Sequence, residues 1–549
     1  MPAIDPAVPS GDSRAGADHE ALVLRADIAV IGGGLGGIAA ALAAADAGAS
    51  VIMTGEESMI GGQITSQLTA PLDEHPRIES FGATRSYRSF RDLVRAAAGG
   101  VDNPGEGWVS RLCFEPLVGL RVLEEMFRGH TESGRIRIFK NARPVAATFA
   151  TGFADTSTEP TIGAVRLELL GQPDLIVRAT VFIDATELGD LLPLTQTAWT
   201  VGSEGSSAFS EPDAVPGAAD ARAEQSCTWV AILVREAEPQ PTFEPPPGYV
   251  TLRDSQPFSL DLVGTNGSVE RRGFFTAGPT GLPSFWSYRR IRTARHTGAP
   301  EAAVINWAGN DYRESGLVHE PDKTRHGARA LTLAFVHWLR TEAPRDSQDG
   351  LGPQGNGRGY PELRLAPELT GTPDGLAEAA YVRESRRLAN PRPTTGSDIA
   401  ETLHGAPASE ITDSVGIAWY HMDLHPRVGY PASVYRETAP FQISAGALVP
   451  APGIGPANLV MGAKNLAATQ VAAAAYRVHP AEWAIGEASG TIAACSVAQG
   501  TDPRSIVSDH AALASVQSAL HERGAPLSWR QHPQRDREPA PTPTENHND

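Results

Sequence analysis

The chain has 549 residues, several times the length of an ordinary domain, so two or more domains around a large apolar core are expected. With 41% apolar and 20% charged residues, 55 Gly and 44 Pro, it reads as a loop-rich α/β protein, and a formal charge of -18 with a pI near 5.3 argues against nucleic acid or an anionic membrane surface as partner. Three scattered cysteines, Cys113, Cys227 and Cys495, lack metal or redox spacing, and the first residues lack the basic start and apolar run of a signal peptide, so reduced thiols in a cytoplasmic setting are expected.

Residues 1 to 24 and 531 to 549 are too poor in apolar side chains to pack and are expected to be disordered. Asp27 to Ile31 is a short apolar strand, and after a glycine-rich turn Ile38, Ala41, Leu42 and Ala45 fall on one helix face that Gly48 ends. Ser50 to Met53 is the next strand, which completes a right-handed βαβ unit; its glycines and Asp46 exclude a membrane span. Glu115-Pro116 opens a helix with Leu117, Leu120 and Leu123 on one side. Arg135 to Lys140 and Gly163 to Leu169 alternate as strands of a β-meander, and Leu175 to Asp184 reads as a strand pair whose second member returns to the parallel sheet. Residues 201 to 439 lack βαβ rhythm and are richer in Trp, Tyr, Arg and His, so an inserted α+β substrate or cap domain is expected there, with a glycine-dense loop at Gly350 to Gly359. Asn458 to Met461 resumes the sheet, Pro480 and Gly500 frame a long apolar helix, and residues 506 to 530 form a helical extension. The nucleotide-binding domain is thus discontinuous, 25 to 200 and 440 to 505.

Gly32, Gly34 and Gly37 form a G-x-G-x-x-G that follows a strand and opens a helix, the context in which backbone N-H groups and the helix dipole bind a diphosphate. Gly36 belongs to the same turn. Ala41 and Gly48 continue the longer fingerprint of the glutathione-reductase class, and Gly61-Gly62, followed by Gln63, is a second place for backbone to approach a pyrophosphate; both favour FAD over NAD. The acidic residue expected at the end of the second strand falls on Gly55, which leaves Glu56 to hold the adenosine ribose or that contact to be made otherwise.

With GGQITSQ (Gly61 to Gln67), DEHP (Asp73 to Pro76), WVSRLCFEP (Trp108 to Pro116), DATELGDLLPL (Asp184 to Leu194), INWAGNDY (Ile305 to Tyr312), DSVGI (Asp413 to Ile417) and YRVHPAEWAIGEASG (Tyr476 to Gly490), the chain resembles the bacterial FAD-dependent oxidoreductase family from about residue 25 to about residue 528. Some members of that family carry the label xanthan lyase. The resemblance implies a Rossmann-type FAD-binding domain with a parallel sheet and β-meander plus an inserted α+β cap. It also implies a backbone contact at Ala185-Thr186, where Glu187 replaces the usual glycine of A-T-G, and a ribityl contact near Gly462 to Asn465, where the usual Asp is absent and Lys464 and Asn465 stand. Asn465 either bonds a ribityl hydroxyl or is an ordinary loop residue. In the resembled fold the helix opened by Pro480 points at the isoalloxazine, which makes Tyr476, Arg477 and His479 the catalytic candidates, Arg477 as a cation and His479 as a base or as a structural histidine.

Three other constellations stand out. Arg383, Arg386 and Arg387 at helical spacing would clamp a carboxylate or form a solvated or salt-bridged helix face; His421, Asp423 and His425 alternate as in a strand and would bind a metal or line the site as acid and base; Trp286, Trp307, Trp338 and Trp419 would line a cavity or fill a core. No metal is expected. No second dinucleotide motif is present, so a built-in NAD(P)H domain is not expected. The reading is an FAD-dependent dehydrogenase or oxidase that moves a hydride from CH-OH, CH-NH or CH-CH of a small-molecule substrate to flavin N5, with O2 or a carrier as electron acceptor. The alternatives are a hydroxylase using external NAD(P)H and a non-catalytic flavin-binding protein.

Overall fold

The computed structural model describes residues 21–150, 159–241, 243–263, 269–270, 272–278, 281–346, 357–401 and 408–531. The terminal stretches expected to be disordered lie outside these residues except at their inner edges, where Leu22 to Leu24 already belong to a strand and Trp529–Gln531 forms a short turn of helix; most of the Gly350 to Gly359 loop also lies outside.

The first sheet has seven strands. β1 (Leu22–Ile31) leads into helix α1 (Leu35–Asp46) and β2 (Val51–Thr54); helices α2 (Arg85–Ala97) and α3 (Pro116–Glu132) precede β3 (Ile136–Phe139), and β4 (Ala142–Phe149), β5 (Ile162–Leu169) and β6 (Leu175–Asp184) follow. The order is β3-β2-β1-β6-β5-β4, parallel from β3 to β6 and antiparallel beyond. Two expectations change. Residues 136–139 belong to the parallel sheet rather than the meander, because Ile136 pairs with Val51. Leu175–Asp184 is one strand rather than a pair: its first half serves β5 antiparallel while its whole length pairs β1 in parallel, from Leu22↔Leu175 to Ile31↔Asp184.

The second core is built from residues 227 to 382 together with Leu68. Its sheet is fully antiparallel, in the order β8 (Arg290–Arg292), β9 (Ala302–Ile305), β7 (Ala231–Arg235) and β10 (Leu363–Leu365), and helix α4 (Pro321–Thr341) buries Leu331, Phe335 and Leu339 in the same core. Residues from 388 onward, including β11 (Ser414–Ala418), β12 (Met422–Leu424), β13 (Val434–Arg436) and β14 (Phe441–Ser444), pack with the first core, so the second core is narrower than the expected 201 to 439 insertion.

The chain then returns to the parallel sheet. β15 (Leu459–Met461) pairs the end of β6, and α5 (His479–Gln499) follows, with Pro480 in its first turn and Gly500 closing it at φ 63°. α5 and α1 are buried on all sides, which is why neither shows an apolar stripe: α5 lies directly on α1. Side chains at Gly486 and Gly490 would stand 2.0 Å from the Gly36 carbonyl oxygen and 2.2 Å from that of Ala40. α6 (His510–Arg523), capped by the Asp509 carboxylate, closes the molecule against α5 and β11. The result is a Rossmann-type α/β fold with a meander and a second antiparallel layer. All three cysteines are free thiols, and among the described residues no helix is long and apolar enough to cross a membrane.

Candidate functional site

Sheet register brings four strand ends to one edge. Ile31 pairs with Thr54 and with Asp184, and Asp184 pairs with Met461, so the residues that follow, Gly32, Gly55, Ala185 and Gly462, leave the sheet side by side. This is the carboxyl-end crevice where open α/β sheets take their ligands. Gly32 has φ +124°, and a side chain there would stand 2.0 Å from the Ala185 carbonyl oxygen, so glycine is required twice over. Gly36 passes under the Gly462 carbonyl, which a Cβ would meet at 1.9 Å, and Gly37 packs back on the Gly32 carbonyl. The Gly61 N-H donates to the Gly33 carbonyl at 2.8 Å, and Gly62 faces Gly34. Ala185 N-H donates to the Ile31 carbonyl, Thr186 Oγ1 to Asp184 Oδ1 at 2.7 Å, and Gly462 N-H to the Asp184 carbonyl at 2.8 Å. The structure therefore gathers Gly32, Gly34, Gly36, Gly37, Gly61, Gly62, Ala185, Thr186 and Gly462 at one place.

The remaining nucleotide candidates divide. Gln63 is buried, its Nε2 donating to the Arg477 carbonyl at 2.8 Å and to the Glu482 carboxylate. Glu56 lines the crevice together with Glu57, whose carboxyl burial and the charges of Glu187 and Glu56 push up to about 8. The Asn465 amide turns inward, Nδ2 donating to the Asp184 carbonyl at 2.9 Å and Oδ1 accepting from Ala463 N-H at 3.3 Å, so it ties the turn.

Two cavities adjoin here, one of about 30 Å³ at Gly32 to Gly34 and Ala185 to Glu187, the other of about 240 Å³ reaching Gln67, Trp229 and Val382; Glu56, Glu57 and Glu187 line both. Among the residues that line them, Gln67 Nε2, Glu187 Oε1 and Glu378 Oε2 are buried without a hydrogen-bond partner, as are Gln63 Oε1 and Glu482 Oε1 of the neighbouring hydrogen-bonded pair. Buried polar atoms are rarely left unpaired; the oxygens among these accept only, which suits the hydroxyls of a long ligand, while the N-H groups of the glycine turn suit a diphosphate. The residues fit a flavin dinucleotide. A larger hollow of about 610 Å³ lies elsewhere, between the ends of α1 and α6, and none of its lining residues belongs to the strand-end crevice.

A second, polar pocket lies behind residues 380 to 383. Ala380 and Val382 line the nucleotide cavity while Tyr381 and Arg383, on the alternate face, line this pocket. At its centre His425 Nδ1 lies 2.6 Å from Asp311 Oδ2 and Nε2 3.1 Å from Asp423 Oδ2; Arg383 pairs with Asp311 at 3.1 Å and Arg477 with Asp423 at 2.7 Å. Arg477 Nη1 also donates to the Tyr381 hydroxyl at 2.7 Å. Burial and Arg383 act to lower the pKa of His425, but Asp423 and Asp311 outweigh them and raise it above 6.5. Burial alone would neutralise Asp423, yet His425 and Arg477 hold it well below the usual carboxylate range.

The three catalytic candidates fare differently. Arg477 faces this pocket. Tyr476 points away, its hydroxyl donating to the Gln442 carbonyl at 2.9 Å and its ring against Phe441. Both ring nitrogens of His479 meet backbone: Nδ1 accepts from Asp73 N-H at 3.0 Å, Nε2 lies 3.0 Å from the Thr69 carbonyl, and burial lowers its pKa to about 4. Such a histidine holds the 69 to 73 loop to the start of α5. The RESRR segment is not helical: Arg383 enters the pocket, while Arg386 pairs with Asp190 and Arg387 with Glu204 and Glu384. HMDLH runs along β12 with Asp423 and His425 adjacent, whereas His421 is stacked on Tyr420 and Tyr435. Among the described residues no His, Cys, Asp and Glu group is placed to hold a metal. Trp307 lines the pocket, Trp338 stacks on Phe335 in the second core, Trp286 donates to Glu301, and Trp419 lies beside His75 and Trp529. Asp311, Tyr381 and Asp73 have no spacing in the sequence that marks them, although Asp311 and Asp73 sit in the INWAGNDY and DEHP segments; only the convergence of those separate segments makes them neighbours of the pocket.

No curated protein matches the sequence. Solved structures with similar segments include L-proline dehydrogenase from P. horikoshii (16% identity over 34% of this chain and 26% of that one, TM-score 0.18). They also include an E. coli quinol fumarate reductase FrdA mutant (11%, 91% and 74%, 0.29) and a geranylgeranyl bacteriochlorophyll reductase-like protein from Thermoplasma acidophilum (9%, 92% and 85%, 0.30). The model of the family described as FAD dependent oxidoreductase matches residues 27–520, nearly the whole described chain. With the strand-end crevice that fits a flavin dinucleotide, this match establishes that the chain belongs to the FAD dependent oxidoreductase family and takes FAD as its cofactor.

Proposed function

We propose that this protein carries out the two-electron oxidation of a small organic substrate, at CH-OH, CH-NH or CH-CH, with the polar pocket of His425, Asp423, Arg383, Arg477 and Tyr381 as the substrate site. The observation that supports this most is the shared wall: residues 380 to 383 present one face to the nucleotide cavity and the other to a pocket of buried charges. Bound FAD supplies the hydride acceptor. Arg383 and Arg477, each held by a carboxylate, orient polar groups of the substrate, and the pocket's burial excludes water. Asp311 and Asp423 flank the two ring nitrogens of His425 and favour its protonated form, so the ring must lose a proton before it takes the one that the substrate loses. This makes oxidation faster as pH rises through the His425 pKa. Tyr381 and Arg477 lie at the head of α5, whose N-H groups favour negative charge.

The test is anaerobic addition of alcohol, amine and saturated acid classes to the purified yellow protein while the flavin absorbance is followed. Bleaching by one class supports the reading and names the bond. Fast bleaching by NADH or NADPH alone would transfer the reading to the hydroxylase alternative, and a flavin that no organic class reduces would support a non-catalytic binding protein. The acceptor, O2 or a carrier, is read from reoxidation of the bleached enzyme.

A further inference from the structure

The nucleotide seat carries two unusual residues, Glu187 where A-T-G would place glycine and Lys464 where an acid would stand, and the fold sets them against each other. Lys464 Nζ lies 2.6 Å from Glu187 Oε2 and 3.0 Å from Glu482 Oε2, with Lys464 2% and Glu482 1% exposed. Glu482 belongs to the first turn of α5, and Glu187 reaches the head of α1: its Oε1 lies 2.5 Å from the position of a Cβ on Gly34 and 2.6 Å from that of one on Gly62. Two helix N-termini therefore share one buried cluster of two carboxylates and one ammonium. Burial, with Lys464 opposing it and Glu187 adding to it, raises the Glu482 pKa.

The cluster is also incomplete. Glu187 Oε1 and Glu482 Oε1 are buried without a hydrogen-bond partner, as is the neighbouring Gln63 Oε1. A carboxylate oxygen at the mouth of a helix over the glycine turn stands where N-H donors and the helix dipole favour an anion, and a diphosphate would seek the same donors and the same ammonium. Like charges within a few ångströms in a partly desolvated site repel by ~4 kcal/mol at an effective dielectric of 20.

We propose that Glu187 competes with the FAD diphosphate for Lys464 and the head of α1, so that the pair sets how tightly the dinucleotide is held: Lys464 is the cation of the diphosphate site and Glu187 its built-in rival. The flavin is then exchangeable rather than permanently sequestered. This concerns cofactor binding alone and is independent of what the polar pocket oxidises.

The test uses deflavinated wild type, Glu187→Gln and Lys464→Met, titrated with FAD by flavin fluorescence quenching, with riboflavin as a second probe because it has no diphosphate. Glu187→Gln keeps the shape of the side chain and is expected to tighten FAD by about 10- to 100-fold while leaving riboflavin unchanged. Lys464→Met is expected to weaken FAD by at least about tenfold. Weaker or unaltered FAD binding in Glu187→Gln overturns the proposal, since Glu187 is then a direct partner of the cofactor or a bystander; equal tightening of riboflavin overturns it too, since the effect is then not on the diphosphate. Should Lys464→Met fail to fold by its thermal transition, Glu187→Gln decides alone.

Discussion

The strand-end crevice and the polar pocket are built by opposite means. The crevice is made of backbone: consecutive residues from Asp27 to Gly62 supply most of it, and the parallel register of β1, β2, β6 and β15 brings their ends together whatever side chains they carry. The pocket is made of side-chain charges brought together from separate parts of the chain by ion pairs, Arg383 with Asp311, Asp311 and Asp423 with His425, Asp423 with Arg477, and Arg289 with Asp73. A crevice of the first kind tolerates much substitution outside its glycines. A pocket of the second kind depends on every partner, because a buried charge whose partner is removed costs ~3 to 5 kcal/mol.

The comparison predicts separable losses. Gly34→Val has the largest expected effect: the added side chain fills the turn and the protein purifies without flavin absorbance, although FAD is present in excess. A yellow variant with full FAD content would mean that the turn does not seat the cofactor. His425→Asn has the converse outcome, full FAD content and anaerobic reduction by substrate slowed by ~10²- to 10⁴-fold. The wild-type rate should rise with pH through a midpoint above 6.5, since Asp423 and Asp311 favour the protonated ring, and the variant should lose that limb. A limb retained in His425→Asn would assign the titration elsewhere.

Smaller effects sharpen the same division. His479→Ala removes the tie between the 69 to 73 loop and α5 and is expected to lower stability by ~1 to 3 kcal/mol in urea unfolding, with the pH midpoint of reduction unmoved. A shifted midpoint would return His479 to the chemistry. Glu57→Gln is the mildest. With a folded pKa of about 8 against an unfolded value of 4.5, Glu57 keeps its proton on folding, so stability falls as pH rises from 4.5 to 8 and is flat beyond. That slope is at most about 1.4 kcal/mol per pH unit, less where solvent screens the group, and the variant should lack it when unfolding is compared at pH 5 and pH 8.

What was legible in the sequence follows from the same contrast. Glycine spacing after an apolar strand fixes a backbone path, so Gly32 to Gly37, the βαβ unit, the Pro480 to Gly500 helix and the strand at Leu459 could be read directly. Strand pairing is non-local, so alternation alone places residues 136–139 in the meander and divides the long β6 in two. Ion pairing is less legible still: Arg383, Arg386 and Arg387 share a short segment, yet Asp311, Asp190 and Glu204 draw them to three different places. Lys464 and Glu187 could each be noticed as departures from a pattern, but only the crossing of their loops makes them partners.

The contact of Gly486 and Gly490 with α1 has a consequence for the order of events during synthesis. The glycine turn leaves the ribosome hundreds of residues before the helix that packs against it, so α1, apolar on every side, must wait without its main neighbour while the second core is made. A release of the chain before α5 would expose that helix as an apolar surface.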